Sequence, residues 1–248
     1  MLDNKDKIKI ALPSKGRLRK DLDSLFVNKN IRVSNQTEDR NYLATIDGLD
    51  NILIYFLTAK EITGRLDEGS IHLGLTCDDL VQEKIRNFDS KVVKLLQLDF
   101  GKADLVVAIP NLWIDVISMA DLEEVSNFQR MKTSKRIRVA TKYPNLTNSF
   151  FSNRGVVDYR TVESHGSTES APFNGFADII TDITSTGQTL KANNLRVLDD
   201  GLILNSSAAI FKSKTIDWND NLNAACHHFI NLITVSYTHL TLPTKRIV

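Results

Sequence analysis

Ala177-Asp-Ile-Ile-Thr-Asp-Ile-Thr-Ser-Thr-Gly-Gln-Thr-Leu190 holds the densest signal in the chain. Apolar residues at 177, 179 and 180 read as a buried strand that ends in Asp182. Thr184, Ser185, Thr186 and Gly187 then make a hydroxyl-rich turn, and a helix opens from 187 to 193. Strand, glycine turn and helix form half of a βαβ unit, and open α/β sheets bind ligands where such strands end. A turn of this kind presents backbone N–H groups and hydroxyls together, which suits a phosphate. Gly187 permits close approach and a positive φ. Asp182 is placed to accept from ribose hydroxyls or to hold Mg2+ through water. A sharp helix cap without a ligand accounts for the same residue types about equally well, because Ser, Thr and Asp favour helix starts. There is no Gly-x-x-x-x-Gly-Lys, so this is not a Walker loop.

Outward from this stretch the pattern repeats. Strands are expected at 7–12, 52–57, 71–76, 92–98, 103–109, 136–141, 156–163 and 202–211. Helices are expected at 17–26, 59–68, 78–85, 143–154 and 221–233. The alternation predicts an α/β fold with largely parallel sheets, and the number of elements predicts two lobes. The breaks near Leu98-Asp-Phe-Gly101 and near Thr186-Gly187 divide the chain into lobe I, 1–98 plus 191–234, and lobe II, 99–190. Residues 235–248 resemble the translated read-through of a sequencing-library adaptor and are set aside as a non-native tail.

Composition narrows the function. The 248 residues are 42% hydrophobic and 25% charged, which excludes disorder and coiled coil for the whole chain. Lys plus Arg is 31 and Asp plus Glu 30, a net charge of +1, so there is no basic field for nucleic acid. An anionic ligand must be gripped by local groups. The two cysteines make neither a disulfide framework nor a paired metal motif. The polar N-terminus lacks the apolar core of a signal peptide, and no run approaches the ~20 residues of a membrane span. A cytoplasmic protein that binds neither membrane nor nucleic acid is expected.

Several co-linear motifs carry a family resemblance. Glu163, Gly166-Ser-Thr-Glu169-Ser-Ala171-Pro172, Gly175, Asp178, Asp182 and Ser185-Thr-Gly-Gln-Thr-Leu190 resemble the signature of the ATP phosphoribosyltransferases, which open histidine biosynthesis. Ala11-Leu-Pro-Ser-Lys15-Gly16-Arg17-Leu18, Asp39-Arg40-Asn-Tyr42, Gly69-Ser-Ile-His-Leu-Gly74-Leu-Thr76, Leu98-Asp-Phe-Gly101-Lys102 and Ala140-Thr-Lys-Tyr143-Pro144 match as well, from about residue 7 to 213. The resemblance implies two periplasmic-binding-protein-like lobes with a cleft between them. It also implies a phosphoribosyl-pyrophosphate loop at 182–189: Asp182 facing the ribose hydroxyls, and Ser185, Thr186, Gly187, Gln188 and Thr189 on the 5-phosphate. Lys15, Arg17 and Arg40 are the expected catalytic cations, with Glu163 and Lys102 as further substrate contacts. The expected substrates are ATP and phosphoribosyl pyrophosphate, with Mg2+ carried on their phosphates and no protein-held metal.

Only 37 residues follow Phe211 (248 minus 211), which suggests the short form of the family. That form implies a homodimer of catalytic chains and a histidyl-tRNA-synthetase-like regulatory subunit in a hetero-octamer. Cys77 departs from the family's usual glycine and is expected either to narrow the cleft or to crowd a turn. Two other readings stand beside this one. A two-lobed anion-binding protein without catalysis fits the same fold. A nucleotide-salvage phosphoribosyltransferase would want two adjacent acids, whereas here Asp178 precedes Asp182 by four residues.

The remaining candidates have plainer readings. Lys15 and Arg17 also suit a solvated helix start, Arg40 a surface ion pair worth under ~1 kcal/mol, and Lys102 an ordinary surface lysine. Lys60 opposes the dipole of the helix it starts. Glu163 and Glu169 suit turn caps. His72 alternates with Ile71 and Leu73 and is expected to face solvent. His165 has no visible metal partners, and His227 and His228, being adjacent on a helix, point apart.

Overall fold

The computed structural model describes residues 7–35, 43–164 and 166–234. Arg40, Asp39, Tyr42, His165 and the tail at 235–248 lie outside the described residues.

The first lobe opens with β1 (Ile8–Pro13), α1 (Arg17–Asn28), β2 (Val33–Asn35), β3 (Leu43–Ile46), β4 (Leu49–Leu57) and α2 (Ala59–Glu68). It continues through β5 (Leu73–Cys77), α3 (Asp78–Lys84), α4 (Phe88–Lys91) and β6 (Val92–Gln97). The chain then crosses to β7 (Ala103–Pro110), α5 (Met119–Thr133), β8 (Ile137–Thr141), α6 (Pro144–Asn153), β9 (Tyr159–Glu163), β10 (Ile179–Thr184), α7 (Gln188–Ala192) and β11 (Leu195–Ser206). It returns for β12 (Ala208–Ser213) and α8 (Asp220–Thr234).

The two sheets run β2-β3-β4-β1-β5-β12-β6 and β11-β7-β10-β8-β9. Two α/β lobes are therefore present, as expected. Largely parallel sheets are not. Among the described residues only β1 with β4 and β5, and β8 with β10 and β9, pair parallel. The strands β2 to β4, consecutive in the chain, pair antiparallel with one another, and so do the crossing strands β7, β11 and β12 with their neighbours.

The expected strand at 202–211 is two strands in different sheets. Leu195–Ser206 pairs with β7, so the return crossing lies at Ser206–Ser207 and not at residue 191. Gly101 makes the outward crossing at φ 68°; a Cβ there would meet Leu18 and Ala208 at 2.9 and 3.0 Å. Helix α5, not foreseen, announces itself only by the Ser118–Asp121 capping box.

Each sheet is covered on both faces. Leu22 and Phe26 of α1 and Phe229 of α8 pack on one side of the first sheet; Ile62 and Leu66 of α2 pack on the other. In the second sheet Val107, Val139 and Ile179 meet Leu122 and Phe151, while Ala140 and Ile180 meet Leu190. No helix among the described residues is long and apolar enough to cross a membrane.

Two-sided cover corrects the reading of His72. It is 7% exposed and sits edge-on to Trp218. Its ring Nδ1 accepts from the Lys9 backbone N–H at 2.9 Å, and the His72 backbone N–H donates to the Lys9 carbonyl, so the ring extends the β1–β5 ladder by one acceptor. Burial, with Lys9 nearby, pushes its pKa down from 6.5 to about 4. The unfolded chain therefore takes up this proton first. Stability falls as the pH drops from about 6.5 to about 4, by up to about 3 kcal/mol from this group. Urea midpoints across that range should drop less steeply in His72→Asn, which keeps an acceptor but cannot ionise; parallel slopes would refute the assignment.

Candidate functional site

The parallel strands of the two lobes end toward one another. In the first lobe β1 and β4 finish in register at Pro13 and Leu57, and Ser14 N–H closes onto the Leu57 carbonyl at 2.8 Å. The chain then turns through exposed Lys15 and Gly16 into α1, whose N-cap Gly16 provides no side-chain cap. Beside it α2 is self-capped: Thr58 accepts from the Glu61 N–H, and the Glu61 carboxylate accepts from the Thr58 N–H at 2.8 Å. That pairing holds the Glu61 carboxyl below its ordinary range, with Arg65 and Lys15 adding to the effect. Lys60 is exposed on the same turn.

In the second lobe β8 and β9 end at Thr141 and Glu163 and β10 runs on through Asp182 to Thr184, with Thr141 in register with both Glu163 and Thr181. Antiparallel β7 begins at the same end, which puts exposed Lys102 there too. The phosphate-loop candidate leaves β10 and is shaped by its own hydroxyls. Thr184 Oγ1 accepts from the Gly187 N–H at 3.0 Å, and Thr186 Oγ1 from the Gln188 N–H at 3.4 Å. Gly187 has φ 70°, and a Cβ there would meet nothing within 4 Å, so the glycine is required by backbone conformation and not by crowding. Ser185, Thr186, Gln188 and Thr189 are exposed. Across the cleft, Arg17 donates to Ser185 Oγ at 3.1 Å, joining residues 168 apart in sequence.

Asp182 is half-buried and accepts from the Ile183 N–H at 2.9 Å. Burial raises its pKa and Glu169 adds to that, while the Ile183 bond, Lys142 and the nearby Thr168 hydroxyl oppose it. Asp178 sits at the opposite end of β10 and pairs with Arg138 at 2.8 Å, so it forms no acidic pair with Asp182.

Behind these groups lies a buried junction between the lobes whose roles sequence reasoning missed. Asp79 accepts from Tyr143 Oη at 2.9 Å and from Ser206 Oγ at 2.6 Å. Asp78 accepts from the Ser207 N–H at 3.3 Å and pairs with Lys94 at 2.5 Å. Glu83, 2% exposed, accepts from the Asn145 and Leu146 N–H groups at 3.2 and 3.0 Å. A carboxylate of α3 thus caps α6 of the other lobe. The hydroxyls of Thr141, Thr147 and Thr181 close a buried triangle, at 2.6 to 3.3 Å, under the strand ends. Burial and the neighbouring carboxylates push Tyr143 upward, keeping it a neutral donor. Tyr143 fell inside a motif already singled out; Asp78, Asp79 and Glu83 did not.

Cys77 is the N-cap of α3 at φ −103° and ψ 155°, extended backbone that any residue adopts, so the side chain imposes no strain. Burial, then Asp79 and Asp78, push its thiol up to about 12. Cys226 is buried and raised as well. Iodoacetamide at pH 8 should therefore label the native protein about 10³-fold more slowly than an ordinary thiol and label both cysteines after denaturation. Fast native labelling at Cys77 would contradict the burial.

Comparison with known proteins places this geometry. A family model described as ATP phosphoribosyltransferase matches residues 58–234. The ATP phosphoribosyltransferase of Bradyrhizobium sp. (strain ORS 278) is 49% identical over 211 residues, 85% of this chain and 65% of that protein. That of Rhodopseudomonas palustris (strain BisB18) is 50% identical over 210 residues, again 85% and 65%. The chain thus spans about 65% of the length of these curated relatives.

Among solved structures, the ATP phosphoribosyl transferase (HisG:HisZ) complex from Thermotoga maritima matches with TM-score 0.67 and 23% identity, over 91% of this chain and 96% of that one. The alkanesulfonate-binding protein SsuA from Xanthomonas axonopodis pv. citri matches with TM-score 0.51 and 13% identity, over 92% and 72%. The expected periplasmic-binding-protein-like architecture is therefore the observed one. With a family model covering more than half its length, the chain belongs to the ATP phosphoribosyltransferase family.

Proposed function

We propose that this chain transfers the phosphoribosyl group of phosphoribosyl pyrophosphate to N1 of the adenine of ATP and releases pyrophosphate, the first step of histidine biosynthesis. The observation that carries this reading is the segment 182–189, whose exposed Ser185 accepts from Arg17 of the other lobe at 3.1 Å. Two polyphosphates must be gripped by a chain of net charge +1, so cations have to converge locally. Lys15 and Arg17 on one rim and Lys102 on the other provide that convergence, and Arg40 is assigned to the same task. Ser185, Thr186, Gly187, Gln188 and Thr189 hold the 5-phosphate. Asp182 and Glu163 face the ribose end.

The bond from the anomeric carbon to the diphosphate oxygen breaks as the bond to adenine N1 forms on the opposite face, with inversion. Adenine N1 brings its own lone pair, so no strong base is needed. Catalysis rests on alignment and on charge complementary to the departing diphosphate. Among the described residues no three metal-ligating side chains cluster. Asp182, half-buried on the strand that leads into the loop, is a carboxylate that would suit Mg2+ arriving on substrate phosphates. When bound, the ion neutralises charge on the diphosphate. A cytoplasmic location accords with both substrates.

The test is pyrophosphate release with Mg2+, ATP and phosphoribosyl pyrophosphate, each omitted in turn. Release that needs both substrates and yields phosphoribosyl-ATP is expected. Tight binding of a small anion without release, a behaviour the fold shared with SsuA permits, would replace the reading with a binding role. We also propose assembly of a catalytic homodimer with a histidyl-tRNA-synthetase-like regulatory subunit in a hetero-octamer. The near-complete overlap with the chain of the Thermotoga maritima complex supports it. Mass measurement of the chain mixed with such a subunit should show one large species; unchanged separate masses would count against it.

A further inference from the structure

The amino ends of β8 and β9, opposite the cleft, carry a charge pattern that phosphoribosyl transfer does not use. Arg138 and Arg160 stand directly opposite each other in the ladder, where like charges repel. Only one of them is neutralised. Arg138 donates to the two Asp178 oxygens at 2.8 and 3.2 Å and to the Gly175 and Phe176 carbonyls at 2.7 and 3.2 Å. Asp178 also accepts from the Arg138 N–H at 2.7 Å, which leaves it little capacity for a second guanidinium.

Arg160 has no hydrogen-bond or ion-pair partner among the described residues. It borders a cavity of about 490 Å³; among the described residues that line it, the other cations are Lys135, Arg136 and Arg138 and the one carboxylate is Asp178. Arg136 reaches Asp158 only at 3.8 Å and shares it with Arg130 at the same distance, beyond hydrogen-bond reach. Protecting an edge strand from unwanted pairing takes one charge; it does not require four cations around one cavity.

We propose that this cavity is a second anion site, separate from the cleft, that takes a phosphate-type anion between the guanidinium groups of Arg136 and Arg160, with Lys135 alongside. Planar guanidinium forks match phosphate oxygens, and an anion here removes the cross-strand repulsion. Free inorganic phosphate and the phosphate arm of a nucleotide share this chemistry. An apolar groove lined by Trp113, Pro172 and Phe173 borders the same Arg138–Asp178 pair and offers a nucleotide a surface for its base.

The test is equilibrium dialysis of radiolabelled inorganic phosphate against the whole chain at low ionic strength, with R136Q/R160Q beside the wild type. The wild type should bind one equivalent more, and the affinity of that equivalent should fall by at least about tenfold in the variant. Pyrophosphate release should be unchanged in the variant, because neither residue touches the cleft, so failure of the transferase reading would leave this result standing. Adenosine monophosphate displacing the extra equivalent about tenfold better than phosphate itself would identify a nucleotide as the source, and equal displacement would identify free phosphate. Identical isotherms for wild type and variant would overturn the site. In phosphate-free buffer R160Q alone should melt no lower than the wild type, since it removes a repulsion. If the double variant fails to fold, R160Q carries the same dialysis comparison.

Discussion

Gly187→Ala and Thr186→Ala are each expected to lower kcat/KM for phosphoribosyl pyrophosphate by about 10²- to 10³-fold, the usual cost of losing one preorganised donor at a charged group. Stability should change far less. At Gly187 a methyl group meets no neighbour, so the fold loses only the cost of a left-handed residue, about 1–2 kcal/mol, or a few degrees in Tm. The loop can escape even that cost by rotating the 186–187 peptide, which would turn its N–H away from Thr184 and from any ligand. Thr186 is exposed, and its hydroxyl accepts one long bond from the Gln188 N–H, so its loss should move Tm by no more than about 1–2 °C. Steady-state kinetics with thermal melts separates the two effects. Affinity for phosphoribosyl pyrophosphate close to wild type in both variants would remove the loop from the site.

Glu83→Ala should be the most damaging substitution away from the loop. Helix α6 has Tyr143 at its N-cap, which makes no side-chain cap bond, and Pro144 in its first turn. Its orphan N–H groups at Asn145 and Leu146 are satisfied instead by Glu83 of α3, and Asn145 Nδ2 returns a bond to the Glu83 carbonyl at 2.9 Å. The carboxylate also lies against the positive end of that helix. Truncation leaves two part-buried donors without their buried acceptor, a loss of about 1–3 kcal/mol and on the order of 2–10 °C in Tm. Activity should fall with it, because this contact sets how lobe II, with its loop, stands against Arg17. Glu83→Gln keeps one acceptor and should cost about half as much. The loss should be nearly independent of salt, unlike that of the exposed Arg19–Asp23 pair. A Glu83→Ala melt within about 1 °C of wild type would mean that water replaces the carboxylate at no cost.

The lobe elements were legible where their signal is local. Strands such as β1 and β4, and the loop after Asp182, announce themselves because neighbouring residues share one environment. Misreadings arose where an element has two environments. Residues 202–211 look like one apolar strand, yet the backbone passes from one sheet to the other at Ser207, and hydropathy is blind to which sheet a buried residue joins. His72 was read by alternation, a rule that assumes one solvent face; β5 has none, and the ring is spent on a ladder bond. Helix α5 escaped notice because its inner face is thin, with only Met119, Leu122 and Ser126 buried.

By itself the sequence determined the two α/β lobes and the family, and it singled out the segment from Asp182 to Thr189, since each depends on residues close together in the chain or on motifs in fixed order. Only the tertiary structure decided what faces that loop. Arg17 meets Ser185 across 168 residues, Asp79 joins Tyr143 to Ser206, and Glu83 caps a helix of the other lobe. These contacts are set by how the sheets pair and cross, and the free energy of a buried hydrogen bond depends on spatial neighbours that no sequence window contains.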